Sequence, residues 1–388
     1  MSNNKYFGYA GKILTVDLSS SDYHVEDTPF DLIVDFLGGK GFGAKILYEN
    51  LKAGCDPLSE ENILIFATGP LTGTIVPASG RATVCTKSPL TGIWLDTLAG
   101  GFFGPELKMA GYDAIIVKGR AKKPVILVIS DEKVTIENAK GLWGKDTFEA
   151  QEMVRKKYGE TCQISVIGPA GERKARFACI VSGDRSFGRG GSGAVMGSKN
   201  LKAVAVKGTK SISISNFDYF MRMVKEAYNE LAVNPDTSAG RPKYGTNVIY
   251  SFINEAGVHP VRNFQSGIFE ALKECNEDVL DKKFYKRHLA CFSCPINCSK
   301  ASRVDEGKYK GKFTEGPEYE NMWSLGAQCG NSNIGAIIYG EYLCDKYGMD
   351  AISAGNVIGF TMECFEKGII SKKQIGFPAN FGNDDAII

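Results

Sequence analysis

Three thiols fall within eight residues in the run Cys291-Phe-Ser-Cys294-Pro-Ile-Asn-Cys298. The spacing is Cys-x2-Cys-x3-Cys. An iron–sulfur centre needs several thiolates converging on one point, and a short loop delivers three of them at little closure entropy. The Pro and Asn in the run oppose helix formation. A [4Fe–4S] cube takes four ligands, so the run supplies three of a set. A structural zinc site and three unrelated buried thiols are the competing readings; softness and spacing favour the cluster.

A second group of residues suits an anionic ligand. The segment Asp184-Arg-Ser-Phe-Gly188-Arg189-Gly190-Gly191-Ser192-Gly193-Ala-Val-Met-Gly197 concentrates glycine between arginines. Glycine lets the backbone approach a ligand and point amides at it, and Arg185 and Arg189 can fork onto phosphate. A phosphorylated cofactor fits. A nucleotide P-loop does not, because Ser198-Lys199 reverses the required order. The rival is a plain glycine-rich turn with solvated arginines. Ala78-Ser-Gly80-Arg81 adds another arginine after a small-residue turn. Ala99-Gly100-Gly101-Phe-Phe-Gly104 opens a helix behind a glycine pair, an anion-binding arrangement. The run from Gly38 to Gly43 follows no convincing strand and reads as a turn rather than a dinucleotide fingerprint. A large anionic cofactor wired to a cluster accounts for the loops and the cysteines together.

Acids come third. In Glu315-Gly-Pro317-Glu318-Tyr319-Glu320-Asn-Met-Trp323, Pro317 suits a helix start and acids suit the first turn. Glu320 precedes an apolar face, so partial desolvation is expected to fit it for acid–base work; the alternative is an ordinary helix-start acid. Asp345 closes a helix, where a carboxylate opposes the dipole, so it is expected to meet a donor such as the amino group of a heterocycle or else to face solvent.

The elements that must position these groups fall into two textures. Up to about residue 210, short β-branched runs alternate with glycine: 12–18, 63–66, 114–117, 125–129, 164–167 and 203–206. Helices are expected at 30–51 and 147–158. Afterwards helical periodicity takes over at 219–231, 248–256, 334–347 and 352–367, with Gly348 and Gly368 as C′ residues and Asp350 as an N-cap. The expected fold is α+β: a β-rich domain with flanking helices over 1–212, then a mostly helical domain over 213–388 carrying the cysteine loop. With 388 residues and a net charge of +2, no nucleic-acid footprint stands out. Eleven cysteines, an odd and scattered count, suit a reducing compartment rather than a disulfide scaffold. No apolar run reaches membrane-spanning length and the first residues hold no signal core, so a soluble cytoplasmic protein is expected.

The chain resembles the tungsten-containing aldehyde:ferredoxin oxidoreductase family. The resemblance runs from about Gly8 to Gly368. It rests on Thr68-Gly-Pro-Leu-Thr-Gly73, Thr86-Lys-Ser-Pro-Leu-Thr-Gly92, Gly104-Pro-Glu-Leu-Lys-Met-Ala-Gly-Tyr-Asp-Ala114, Ile167-Gly-Pro-Ala-Gly-Glu172, the glycine–arginine loop, the cysteine run, Glu315-Gly-Pro-Glu-Tyr-Glu320 and Asp345-x-x-Gly-x-Asp350. It implies a bis-pterin cofactor holding tungsten or molybdenum beside one [4Fe–4S] cluster, with Mg2+ bridging the pterin phosphates. It implies that Arg81, Gly100, Arg185, Ser186, Gly188 and Arg189 cradle the pterins, that Asp345 and Met349 form a pterin-recognition turn, and that Cys291, Cys294 and Cys298 are cluster ligands. Glu320 becomes the acid–base residue. The implied reaction converts an aldehyde to a carboxylate, with ferredoxin accepting the electrons. A reductive relative acting on carboxylic acids or on an aromatic thioester such as benzoyl-CoA is the alternative, and an inactive fragment is another.

Three departures from the family pattern stand out. Leu98 stands where relatives place Asn, leaving only backbone contact with the pterin. Tyr339 replaces a Glu that binds iron between subunits, so no iron-bridged dimer is carried over. Relatives also carry a further domain with a fourth cysteine, a second pterin turn and an active-site histidine; none of His24, His259 and His288 matches that role, and Cys329, Cys344 and Cys364 stand as internal thiols. A truncated or split gene product is therefore expected. Its expected partners are ferredoxin, a small aldehyde, and either a second copy or a separate chain bearing the missing domain.

Overall fold

The six short β-branched runs become strands of two sheets. The structure is a computed structural model and describes residues 6–388. The first sheet holds β1 (Lys12–Asp17), β2 (Asp22–Asp27), β3 (Leu64–Thr68), β4 (Ala82–Lys87), β5 (Trp94–Ala99) and β6 (Ala114–Lys118) in the order β2-β1-β6-β3-β4-β5. Only β1 and β6 run parallel. The second sheet holds β7 (Val125–Ser130), β8 (Lys133–Asn138), β9 (Gln163–Val166), β10 (Ile180–Ser182), β11 (Arg185–Phe187) and β12 (Leu201–Lys207), ordered β11-β10-β9-β12-β7-β8.

Alternation of side chains along the strands builds the layers. Leu14, Val16, Leu64 and Phe66 face a core shared with Leu127, Ile129, Val204 and Val206 of the second sheet. Their sequence neighbours Ile13, Ile65 and Ala67 face the opposite way, onto Leu32, Phe42, Ile46 and Leu47 of two helices. Ile126, Val128, Ala203 and Ala205 likewise pack on Ala150 and Val154. The central strands of both sheets are therefore buried on both faces, which explains why they read as continuous apolar runs, while the edge strand β2 is exposed throughout.

The helix expected over 30–51 is two helices, α1 (Phe30–Phe36) and α2 (Lys40–Asn50). Leu37, Gly38 and Gly39 have φ of 61°, 144° and 52°, and break the run. The break docks on the end of β3: Gly39 N–H donates to the Thr68 carbonyl at 2.9 Å, and a Cβ on Gly38 would lie 2.9 Å from the same oxygen. After β5 comes α3 (Phe103–Met109), and α4 (Thr147–Tyr158) has the expected bounds.

A capping box opens α4. The Asp146 carboxylate accepts from Glu149 N–H at 2.8 Å while the Glu149 side chain reaches back to Asp146 N–H at 3.4 Å. Loss of such a cap costs about 1 kcal/mol. Asp146→Ala is expected to lower the melting temperature by roughly 2–4 °C; an unchanged thermal melt would show that the box contributes nothing.

Two buried ion pairs sit in this region. Lys108 on α3 meets Asp113 at 2.6 Å with both side chains fully buried, and Lys202 meets Glu172 at 2.5 Å. Asp113 also accepts from the Ala10 and Gly11 N–H groups at 2.9 and 2.8 Å and from Thr28 Oγ1 at 3.0 Å. One carboxylate thereby ties the turn before β6 to both ends of the β1–β2 hairpin.

The chain divides into two compact units. The first runs to Tyr228 and includes Cys291–Cys294 and Lys346–Met349; the second holds the rest. The second is mostly helical, as expected, with Ile334–Tyr347 and Ala351–Glu366 as its longest helices and a core of Met322, Leu325, Ile337, Ile338 and Met362. Asp350 caps the latter helix through Ser353 N–H at 3.2 Å, and Gly348 and Gly368 take φ of 72° and 69°. The residues expected as one helix over 248–256 begin as a tighter 3₁₀ turn, Gly245–Ile249, before Tyr250–Glu255. A three-stranded antiparallel sheet, β13 (Tyr285–Leu289), β14 (Ser299–Arg303) and β15 (Phe313–Glu315), is an element that the sequence reading lacked. Among the described residues no helix is long and apolar enough to cross a membrane.

Candidate functional site

The cysteine run is the connection of a β-hairpin. Leu289 of β13 pairs with Ser299 of β14, and residues 290–298 bridge them. The loop avoids helix as its composition requires: Cys294 N–H donates to the Cys291 carbonyl at 3.2 Å, and Ser293 and Asn297 take φ of 49° and 52°. Cys291, Cys294 and Cys298 are half-buried, and none is in a disulfide. Among the described residues no three His, Cys, Asp or Glu side chains are grouped closely enough to hold a metal ion. The loop thus offers soft donors of the right kind without a closed set.

Within the first unit, three distant pieces of sequence meet at Cys291. Phe292 N–H donates to the Gly101 carbonyl at 3.2 Å, and Ala78 N–H donates to the Ser293 carbonyl at 3.3 Å. The rings of Phe102 and Phe292 stand edge to face at 6.4 Å. A Cβ on Gly100 would lie 2.7 Å from Cys291 Sγ, so any side chain there would displace the sulfur. A Cβ on Gly101 would lie 3.3 Å from Arg185 Cγ. The Arg81 turn, the Gly100–Gly101 pair, Arg185 and the first cysteine are therefore assembled in one place.

Other expected contacts fall around this cluster of loops. Leu98, on β5 opposite Thr83, is 44% exposed. Ser186 is half-buried on β11, Gly188 follows it half-buried, and Arg81 and Arg189 are exposed. The glycines give a different result from the expected one. Cβ atoms on Gly190, Gly191, Gly193 and Gly197 would run into Leu95, the Arg176 carbonyl, the Cys179 carbonyl and the Gly171 carbonyl. Those four serve close packing of the chain on itself. Gly188 alone leaves its face open, the nearest atom being Ser186 Oγ at 3.6 Å. Met349 bridges to Ala178, and the Gly348 carbonyl accepts from Cys179 N–H at 2.9 Å, so this turn docks on the segment before β10.

In the second unit Glu320 lies in the first turn of the helix Tyr319–Leu325. It is exposed, which corrects the expected desolvation. Met322, Trp323 and Leu325 are buried, and the helix turns Glu320 away from them. Glu318 accepts from Thr246 Oγ1, and Asp345 is half-buried near the end of Ile334–Tyr347.

Beside the N-cap Asp350, this unit buries two charges that the sequence does not announce. Glu341, 3% exposed, accepts from Asn321 Nδ2 at 2.6 Å, while its Oε2 has no hydrogen-bond partner among the described residues. Burial first, then the charges of Asp345, Glu318 and Glu315, push its pKa well above the carboxylate range. Lys300 is also 3% exposed. An acid inside the apolar run 334–344 was the available signal for Glu341; Lys300 left none. Of the histidines, His259 is buried edge to face against Tyr250 at 4.8 Å, and burial pulls it down to about 4.

Comparison with known proteins follows the same lines. The family pattern "Aldehyde ferredoxin oxidoreductase, N-terminal domain" matches residues 13–208, and "Aldehyde ferredoxin oxidoreductase, domains 2 & 3" matches residues 222–388. The tungsten-containing aldehyde ferredoxin oxidoreductases of Pyrococcus furiosus and Pyrococcus horikoshii are 44% and 45% identical over 98% of this chain. The chain spans 63% of the length of each. Among solved structures, the active-site complex BamBC of benzoyl coenzyme A reductase with 1,5-dienoyl-CoA superposes with a TM-score of 0.83 at 28% identity, covering 98% of this chain and 59% of that one.

Proposed function

The chain belongs to the aldehyde ferredoxin oxidoreductase family, and from that premise we propose that it oxidises an aldehyde to a carboxylate with a tungsten or molybdenum bis-pterin and a [4Fe–4S] cluster. The observation that carries the proposal is the meeting of Gly100–Gly101, the Arg81 turn and Arg185 with Cys291. The donors fit these groups in kind: arginines for phosphate, open backbone at Gly100 and Gly188, and three thiols for iron.

In this reading residues 1–212 are the pterin-binding domain and 213–388 the domain with the cysteine loop. Arg81, Arg185 and Arg189 hold pterin phosphates, assisted by Ser186 and a Mg2+ ion. Leu98 contributes backbone only. Asp345 and Met349 flank the turn that recognises a pterin ring, and Cys291, Cys294 and Cys298 ligate the cluster. When bound, the metal and cluster would supply the redox chemistry, a two-electron sink for the substrate and a one-electron outlet to ferredoxin. The balance is aldehyde plus water giving carboxylate, three protons and two electrons. Glu320 takes a proton from the attacking water and returns it to solvent, to which it is open.

The likeness to the benzoyl coenzyme A reductase complex favours a second reading, reduction of an aromatic thioester. It ranks below the first because the aldehyde enzymes are 44–45% identical against 28%. Elemental analysis of anaerobically purified protein tests the proposal. Tungsten or molybdenum with about four irons per chain is expected, and Cys291→Ser, Cys294→Ser and Cys298→Ser are each expected to lose most of the iron. Absence of both metals from wild-type protein would overturn it. Tight binding of an aromatic coenzyme A thioester without aldehyde turnover would promote the second reading.

A further inference from the structure

Lys300 is the buried cation beside the third cysteine. Its ammonium nitrogen donates to the carbonyls of Asn297 and Cys298, each at 3.1 Å, and more weakly to that of Arg241 at 3.5 Å. It also lies 5.7 Å from the centre of the Tyr285 ring, within cation–π range. Lys108 and Lys202, the buried lysines of the first unit with ion pairs, each have a carboxylate at 2.5–2.6 Å. Lys300 has none. Lys199 is seated in the same manner as Lys300, by the carbonyls of Glu60, Asn62 and Gly119. Carbonyls alone therefore suffice to hold a buried ammonium, and what distinguishes Lys300 is whose carbonyls they are.

A buried cation without a counter-ion is costly to a fold. The carbonyl dipoles and the ring face satisfy its donors, and the carboxylates that act on its charge, Glu318 and Asp281, do so from beyond ion-pair distance. That charge is fixed to the backbone of Cys298, in a medium where Coulomb interactions are stronger than in water. A thiolate, or a cluster that has gained an electron, is the kind of partner such a charge favours.

We propose that Lys300 is a positioning residue for the cluster: it clamps the backbone of Cys298 and places a fixed positive charge that stabilises the reduced state of an iron–sulfur cluster bound there. The inference rests on the cluster reading given above. The sign follows from charge alone. Reduction adds one electron and so one negative charge, and removing a nearby positive charge makes that addition less favourable.

The test uses the full chain, reconstituted anaerobically with ferrous iron and sulfide and titrated with dithionite as the one-electron donor, with electron paramagnetic resonance reporting the reduced cluster. Lys300→Met removes the charge and the clamp. Lys300→Gln keeps donors for the carbonyls and removes the charge. In either variant the ratio of reduced to oxidised cluster at a fixed potential is expected to fall about tenfold, a shift of about 59 mV for a one-electron couple. Lys300→Arg and the exposed control Lys286→Met are expected to stay near wild type. An unchanged ratio in both uncharged variants would overturn the proposal. If neither uncharged variant assembles a cluster while Lys300→Arg does, the requirement for charge is supported; if Lys300→Arg also fails, charge is not what Lys300 supplies and the proposal falls. Failure of the wild-type chain to take up a cluster would instead sink the cluster reading itself.

Discussion

Asp113→Ala is expected to destabilise the first unit by about 3–5 kcal/mol, the range for stranding one partner of a buried ion pair. Lys108 would keep its ammonium in a fully buried position, and burial already pulls that lysine down against the opposing pull of Asp113. Its remaining acceptors would be the Gly69 carbonyl at 3.1 Å and Thr68 Oγ1 at 3.5 Å. The Ala10 and Gly11 N–H groups and the Thr28 hydroxyl would lose their acceptor as well. Pairing the change with Lys108→Met removes the stranded charge and is expected to recover about 0.5–3 kcal/mol, the usual coupling of residues in contact. Urea denaturation of the two single variants and the double variant gives the cycle. A loss below about 1 kcal/mol in Asp113→Ala, the size of one ordinary hydrogen bond, would show that the pair does not anchor the sheet.

A second large effect belongs to Glu341 and appears as a dependence on pH. In the folded protein its pKa is raised, by burial and by Asp345 on its own helix together with Glu318 and Glu315 from the preceding segment. The unfolded chain releases this proton near the ordinary glutamate value while the folded chain retains it. Stability is therefore greatest below that value and declines as pH rises toward the folded pKa. Ionising a buried oxygen with no partner costs on the order of 1–3 kcal/mol. Wild type is expected to lose about that much between pH 5 and pH 8, and Glu341→Gln is expected to flatten the decline. Denaturation midpoints at a series of pH values decide it. A wild-type-minus-variant difference that stays constant over that range would remove Glu341 from the account.

What could be read from the sequence depended on whether the signal was local. Strands such as β3 and β12 were legible because Ile, Val and Ala alternate between two buried layers and glycine or polar turns end them. β13 and β14 were not. Tyr-Lys-Arg-His-Leu and Ser-Lys-Ala-Ser-Arg contain no β-branched residue, and only pairing across the cysteine hairpin makes them strands. The break at Leu37–Gly39 needed knowledge of the Thr68 carbonyl, about thirty residues away. The cysteines stood out by spacing and the arginine loops by composition, and the structure brings Cys291, the Arg81 turn and Arg185 to one place. Most glycines of the second loop were assigned to a ligand because composition cannot show that Gly171 or Cys179 occupies the space. Glu320 was expected to be partly desolvated by the residues that follow it, yet helical phase points it outward. Glu341 and Lys300 stayed hidden because burial of a charge is a tertiary fact.

The parallel pairing of β1 with β6 has a consequence for synthesis. Chain emerges from the amino end, so β1 can pair at once with β2 across a short turn. Its other edge must wait until Ala114–Lys118 exist, and Asp113, which ties that turn to Gly11 and Thr28, arrives only then. Long-range pairing of this kind slows folding and leaves strand edges open meanwhile. A nascent chain stalled before residue 113 would hold a β1–β2 ribbon and a β3–β4–β5 meander with no strand to join them. Such a chain is a substrate for chaperones or for aggregation, and protease protection of β1 on arrested ribosomes should appear abruptly once β6 has left the exit tunnel.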